Sequence, residues 1–527
     1  MRLLFLLLFF TTGACAQAPV VPGSLKLLGT RSWIRVQWTD RAADEQGFRV
    51  YWSAENKKPA QPGAVVGKDI QRYYIENVKA ESTYYIWLEA YNQHGASASL
   101  TARVTTVKSW SLDKDELQSL SVASSAAVPE GMELFWNDEF NDLLLNRNKW
   151  STNYYSNIDL LKKDNLALML QDSLPQPAMR FNGSTIHLFT NDSVPLKSFY
   201  PASGRKISSI QTYDWRTNEN YLDNSRGGYF EVRVKRWSTG KPQGVNTAFW
   251  FDSPGPDLRN YLQKGTVLDG VAGVRPKGQV FEIDVFEMLN AQFVLHGHVS
   301  EKGEFIHNLA THIAEGYTHI GTWVTHGILW TPNSIKHYIN GKLIKAYDNP
   351  HEIYSPNHFM NVFLGSYGAG GSVDMEVDYI RGYQWPLTGG NELPNPGFEA
   401  NANLLPWGGT GTLSLATKRS GNSALVLQPG QHMEQYVYLN NHTDYKLRYW
   451  LQGQGKVELK AENITLVEGK TESAFAQVAE GNAVFKEQVL LFKTGSEYSD
   501  YKKTVKIKFT NTGGGAVVID DVTVVKK

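Results

Sequence analysis

The stretch Val280-Phe281-Glu282-Ile283-Asp284-Val285-Phe286-Glu287-Met288 places three carboxylates inside an otherwise apolar run. Read as a plain strand of period two, one face would carry Glu282, Asp284, Phe286 and Met288, and the other Phe281, Ile283, Val285 and Glu287. Neither face is uniform. One β-bulge at Val285-Phe286 flips the parity, so that Glu282, Asp284 and Glu287 share one face while Phe281, Ile283, Val285 and Met288 share the other. The apolar face can then be buried at no polar cost, and the acidic face must look into something solvated, such as a cleft.

Three carboxylates on one face repel one another, which raises the pKa of at least one and keeps it protonated near neutrality. A protonated carboxyl beside an ionised one is what retaining glycoside hydrolysis requires, with the two groups about 5–5.5 Å apart. Glu282 and Glu287 are the natural pair, and Asp284 between them would hydrogen-bond one glutamate and tune its charge. A triple of this spacing arises by chance roughly 0.5 times in a chain this long, and about 0.04 times when every intervening residue must be apolar. The competing explanation is an edge strand whose inward charges discourage aggregation, so the surrounding sequence has to decide.

With 527 residues, two to four domains are expected. A hydrophobic content of 42% with 20% charged residues indicates globular structure. Lys+Arg and Asp+Glu both number 52, a balance that argues against a nucleic-acid binder and offers no field for steering a polyanion. Aromatic residues reach 12%, with 15 Trp, and aromatic faces stack on sugars as well as filling cores.

Met1-Arg2, the apolar run 3–10 and Ala14-Cys15-Ala16 read as a secretory signal peptide over residues 1–16 of a bacterial protein. Cleavage after Ala16 removes the one cysteine and leaves a mature chain without disulfide or thiolate metal site. The alternative is a lipoprotein anchored through Cys15, although Thr12-Gly13-Ala14 lacks the usual aliphatic residue. No later apolar run reaches the ~18 residues of a transmembrane helix. The protein is therefore expected outside the cell, at its surface or in the periplasm, as a monomer.

Residues 19–107 alternate short strands and turns, as in Ile34-Arg35-Val36-Gln37-Trp38 and Gly47-Phe48-Arg49-Val50-Tyr51-Trp52, the pattern of a small β-sandwich. The segment resembles a fibronectin type III module, with Trp38 as its core tryptophan and Tyr84 as its corner tyrosine. Residues 108–130 are polar and rich in Ser and Ala, and read as a linker with one helical turn near 113–120.

Residues 131–387 hold the acidic stretch and are again strand-rich. Phe135-Trp136-Asn137-Asp138-Glu139-Phe140, Asn148-Lys149-Trp150, Ile210-Gln211-Thr212, Gly228-Tyr229-Phe230-Glu231-Val232, Ala248-Phe249-Trp250, Trp323-Val324-Thr325-His326-Gly327 and Met375-Glu376-Val377-Asp378-Tyr379-Ile380-Arg381 follow one another in an order that resembles glycoside hydrolase family 16. The resemblance implies an all-β fold: a central concanavalin-like β-jelly-roll sandwich of two curved sheets whose concave face is a polysaccharide cleft. It also implies retaining endo-hydrolysis, with Glu282 as nucleophile, Asp284 as helper, Glu287 as general acid/base and no catalytic cofactor. His296 and His298 share a face of the next strand by period two and are candidate substrate contacts, as are Trp250, Arg226 and Trp237. The family also implies a structural calcium at Asp378.

Residues 391–527 resemble a carbohydrate-binding jelly-roll, from Asn395-Pro396-Gly397-Phe398-Glu399 to Val518-Ile519-Asp520-Asp521-Val522. Trp407 and Trp450 are candidate sugar platforms, with core packing the better expectation for Trp450. Asn246-Thr247 stands where laminarinase-type members carry Trp-Pro, and small polar residues there resemble the agarase, carrageenase and porphyranase branch. A red-algal galactan is thus the expected substrate, with β-1,3- or mixed-linked glucan second. A catalytically idle surface glycan-binding protein, or a structural adhesin, would be built from the same modules, but neither needs three mutually repelling carboxylates. The insertion 254–278 would shape the cleft, and Arg259, Lys264, Arg275 and Lys277 within it are better read as solvated surface than as sulfate readers.

Overall fold

The computed structural model describes residues 17–108, 117–154, 178–197, 205–214, 219–239, 245–252, 267–268, 271–272, 280–287, 292–299, 304–314, 320–349, 352–368, 370–400, 403–464, 471–495 and 502–527. Residues 1–16, Cys15 among them, and the four basic residues of the insertion lie outside them. Among the described residues the chain is all-β, with antiparallel pairing throughout the named strands. It divides into two compact units, residues 1–114 with 143–147, and residues 115–142 with 148–527.

The first unit is a sandwich of a three-stranded sheet (Gly23–Gly29, Trp33–Thr39, Arg72–Glu76) and a five-stranded sheet centred on Gly47–Ser53 and Thr83–Asn92. Alternation dictates its core, because Ile34, Val36 and Trp38 point inward from one strand and Phe48 and Val50 from another. Trp38 packs on Phe48 at 5.2 Å, and the Tyr84 hydroxyl accepts the Lys79 backbone N–H at 3.0 Å.

In the second unit two large sheets face each other. Six strands form the sheet of the acidic stretch, in the order Lys206–Gln211, Asn361–Gly368, Val245–Asp252, Val280–Glu287, Gln292–Val299, Glu304–Ile313. The opposing sheet has eight, with Gly228–Thr239 between Ser372–Gln384 and Val324–Thr331 at its centre. Between them lies an aromatic core in which Phe230 stacks on Trp330 at 5.2 Å and Phe251 meets both edge-on. Each such pair contributes about 0.5–1.5 kcal/mol beyond its buried area.

A further sandwich of two five-stranded sheets occupies 408–526. It joins the larger sandwich through Asn357, whose amide donates to the Lys502 carbonyl at 2.7 Å and whose carbonyl accepts the Lys502 N–H at 2.8 Å. Its two tryptophans reverse the sequence expectation. Trp407 is 2% exposed, packed on Phe398 and Phe509 with its indole N–H on the Asn395 carbonyl, so it belongs to the core. Trp450 alternates outward between buried Tyr449 and Leu451 and carries the Arg419 guanidinium over its ring at 3.8 Å.

The expected linker also needs correction. Residues 117–130 pack on the larger sandwich, where Gln118 exchanges hydrogen bonds with Asn137, and residues 113–116 of the expected helical turn lie outside the described residues. Ser121 donates both its N–H and its hydroxyl to Glu139, and Ala123 accepts from Arg381. Glu139 and Arg381 form a fully buried two-pronged ion pair at 2.8 Å for each bond. Burial opposes the charge on Glu139, but the Arg381 fork, the Asn137 amide and the Ser121 N–H outweigh it and hold the carboxyl below its usual range. A polar segment is kept because it supplies donors to a charge that the core cannot otherwise tolerate.

Arg381→Ala should therefore lower the stability of the second unit by about 3–5 kcal/mol, because it strands the Glu139 charge. Urea denaturation followed by tryptophan fluorescence would measure this, and adding Glu139→Gln to the same chain should recover part of the loss.

Candidate active site

The acidic strand carries the expected bulge. Phe249 lies opposite Phe286 and Trp250 opposite Asp284, so Val285 is the extra residue, and on the other edge Asp284 pairs with Val294 and Glu287 with Gln292. Val280, Ile283, Val285 and Phe286 are fully buried toward the opposing sheet, where Phe286 meets His326 at 4.4 Å and the Arg236 guanidinium at 4.8 Å. Glu282 and Glu287 retain part of their surface, and Asp284 between them is 3% exposed.

The neighbouring strand adds two groups that sequence reasoning missed. Asn246, Ala248, Trp250 and Asp252 alternate onto the face of the carboxylates, while Thr247, Phe249 and Phe251 turn into the core. Asp252 lies opposite Glu282 and makes the site a four-carboxylate cluster. Asn246 donates its amide N–H to Glu287 Oε1 at 2.8 Å. Two-residue counting back and forward from Trp250 was the available signal for both.

Burial first, then the charges of Asp284, Asp252 and Glu287, push the Glu282 carboxyl well above its usual range. The proton belongs to the coupled cluster, which holds an acid and its conjugate bases side by side near neutrality. The floor beside it is low, because Ser209, Gly365 and Ala248 lie abreast on three adjacent strands. A Cβ at Gly365 would come within 2.8 Å of the Ser208 carbonyl and the Tyr367 hydroxyl, so only glycine fits there.

The remaining candidates scatter. Trp250 is on the correct face but 5% exposed, stacked on Phe363 at 4.0 Å with its indole N–H on Tyr367, so it is floor and not an open sugar platform. Arg226 binds Gln384 at 2.7 Å and the Trp385 carbonyl at 3.3 Å, which ties it to a strand of the opposing sheet. Trp237 also belongs to that sheet, stacked against His187 at 6.3 Å with Lys235 over its ring. Trp237 stands in a strand of the other layer, and Arg226 lies in the turn just before that strand. Asp378 is bound by the Arg233 guanidinium, which supplies the positive charge that a calcium ion would bring, so the residues there do not fit the implied metal. In strand register His296 stands opposite Glu282 and His298 opposite Phe305, and their side chains lie outside the described residues.

No family model matches the chain. Across an alignment 296 residues long that covers 48% of the chain, it is 24% identical to glucan endo-1,3-β-glucosidase A1 of Niallia circulans, and it spans 38% of that relative. Among solved structures it is similar to a GlcNAcα1-4Gal-releasing endo-β-galactosidase from Clostridium perfringens, at 17% identity and TM-score 0.36 over 59% of this chain and 79% of that one. An endo-β-1,3-glucanase from Pyrococcus furiosus matches at 17% identity and TM-score 0.34, over 48% and 95% of the two chains. The laminarinase catalytic domain of Thermotoga maritima matches at 18% identity and TM-score 0.32, over 48% and 99%.

The raised Glu282 pKa predicts a specific stability profile. A carboxyl whose folded pKa exceeds its unfolded value supports the fold fully below the unfolded value of about 4.3, and that support is lost as pH rises through the folded pKa. Glu282→Gln should match wild type near pH 4 and have the higher melting temperature above neutrality. Calorimetric scans of both proteins across that pH range test this, and equal profiles would contradict the cluster.

Proposed function

We propose that the chain is a retaining endo-β-glycosidase of glycoside hydrolase family 16 that cuts a β-1,3-linked glucan. The observation that carries this reading is the bulged strand, which brings Glu282, Asp284 and Glu287 onto one face with Asn246 bonded to Glu287. Glu282 attacks the anomeric carbon while Glu287 protonates the leaving oxygen, and the glycosyl-enzyme is released by a water that Glu287 deprotonates. The positive charge that develops on the sugar favours ionised Glu282, so the proton of the cluster is left to Glu287. Asp284 steadies Glu282 through these changes, and Asp252 adds negative potential beside the oxocarbenium-like centre.

The glucan reading rests on the similarity to the Niallia circulans glucan endo-1,3-β-glucosidase. The galactan reading began from Asn246-Thr247, and both residues have other employment. Asn246 holds Glu287, and buried Thr247 accepts from Arg236 inside the core. Small polar residues at that place thus support the machinery without selecting a galactose unit. The same reading gives residues 391–527 a glycan-binding role, and residues 1–16 delivery outside the cytoplasm, free or anchored through Cys15.

Reducing-sugar release should be measured on laminarin, lichenan, agarose, porphyran and κ-carrageenan. Activity on laminarin that Glu282→Gln and Glu287→Gln each lower by at least about a thousandfold is expected. Hydrolysis confined to a galactan would replace the glucan assignment, and binding without hydrolysis would replace the enzyme. With azide and an activated aryl glycoside, Glu282→Ala should yield the α-glycosyl azide and Glu287→Ala the β-glycosyl azide, which separates nucleophile from acid/base.

Asn246→Ala removes a donor to ionised Glu287 worth about 0.5–1.5 kcal/mol. The alkaline limb of kcat/KM should move up by about 0.4–1 pH units, since a carboxylate that loses a donor holds its proton to higher pH.

A further inference from the structure

The first unit contains a carboxylate that its fold does not explain. Glu45 is 3% exposed, and both of its carboxylate oxygens are buried without a hydrogen-bond partner. An isolated buried carboxylate is among the costliest groups a small sandwich can hold. Its surroundings add negative charge. Asp40 directly follows the strand Trp33–Thr39, Glu45 lies just before Gly47–Ser53, and Asp69 stands in the turn between Ala64–Gly67 and Arg72–Glu76. One carboxylate oxygen from each of Asp40, Glu45 and Asp69 lies within 4.8 Å of the others.

We propose that Asp40, Glu45 and Asp69 bind a calcium ion that clasps two loops of the first unit. The donor set is all oxygen and carries three formal negative charges, which selects a hard divalent cation over zinc or copper. Calcium takes oxygens at about 2.3–2.6 Å, so ligands on opposite sides of the ion stand up to about 5 Å apart, and the observed spread fits. Magnesium, at about 2.0–2.1 Å, demands a tighter octahedron.

Local hydrogen bonds hold the loops in place for this. The Trp38 N–H donates to the Gln71 carbonyl at 3.0 Å and the Asp40 N–H to the Gln71 side chain at 3.4 Å, so the Asp40 and Asp69 segments stay side by side. Asp40 Oδ1 accepts the Ala42 N–H at 2.9 Å, which fixes the carboxylate's orientation while leaving its second oxygen for an ion. Because Glu45 is buried and Asp69 is exposed, the ion would sit at the surface end of the sandwich, with water completing its shell. This site is independent of the glycosidase reading and of the carboxylates of the second unit.

The test is calcium titration of the full chain after chelator treatment, by calorimetry, with Glu45→Gln and Asp69→Asn beside wild type. Wild type should bind calcium with a Kd of about 10⁻⁴–10⁻³ M or tighter. Each variant should bind one equivalent fewer, or bind that equivalent at least tenfold more weakly. Magnesium should bind wild type at least tenfold more weakly than calcium. Asp69 is exposed, so Asp69→Asn keeps the fold and reports on the site even if Glu45→Gln does not. Absence of calcium binding up to about 10 mM, or an unchanged stoichiometry and affinity in folded Asp69→Asn, overturns the proposal, and equal magnesium affinity overturns the choice of ion.

Discussion

Repulsion among Glu282, Asp284, Glu287 and Asp252 is the constraint around which the second unit is arranged. Four carboxylates on adjacent strands would drive an isolated hairpin apart, and the acidic strand holds because its other face is locked. Val280, Ile283, Val285 and Phe286 are fully buried against the opposing sheet. The extra residue at Val285 resolves the conflict between the two faces, since it gives Phe286 to the core and Glu287 to the solvent. Hydrophobic burial on one side thus offsets electrostatic cost on the other, and the strain stays where chemistry can use it.

The opposing sheet serves this strand indirectly. Its own charges are neutralised locally: Arg381 with Glu139, Arg233 with Asp378, and Arg180 with Asp374. Arg236 is a guanidinium buried beneath Phe286 that donates to Thr247, and burial pushes its pKa down to about 9. It lies directly behind the acidic strand, so a positive group faces the carboxylate layer through one aromatic ring.

Legibility differed from residue to residue for physical reasons. The bulge could be read because a one-residue slip moves every side chain to the other face, and only one slip made both faces uniform. Trp407 and Trp450 could not be sorted, because a tryptophan beside alternating apolar residues has the same local pattern whether it fills a core or faces outward. Arg226 and Trp237 border the strand Gly228–Thr239, and the sequence of that strand does not say which layer it joins. The segment 117–130 looked like a linker because its polar residues bond a buried ion pair, and that pair forms between positions 242 residues apart.

By itself the sequence determined the all-β class and the common face of Glu282, Asp284 and Glu287, since both follow from periodicity within single strands. Tertiary structure alone decided that Asp252 joins the cluster, that Asn246 is spent on Glu287, that Arg233 answers Asp378, and that Glu45 is buried beside Asp40 and Asp69. Strand alternation is a local property written in every pair of residues. Which strands become neighbours depends on the free energy of closing long loops and packing whole layers, and no short stretch of sequence carries that information.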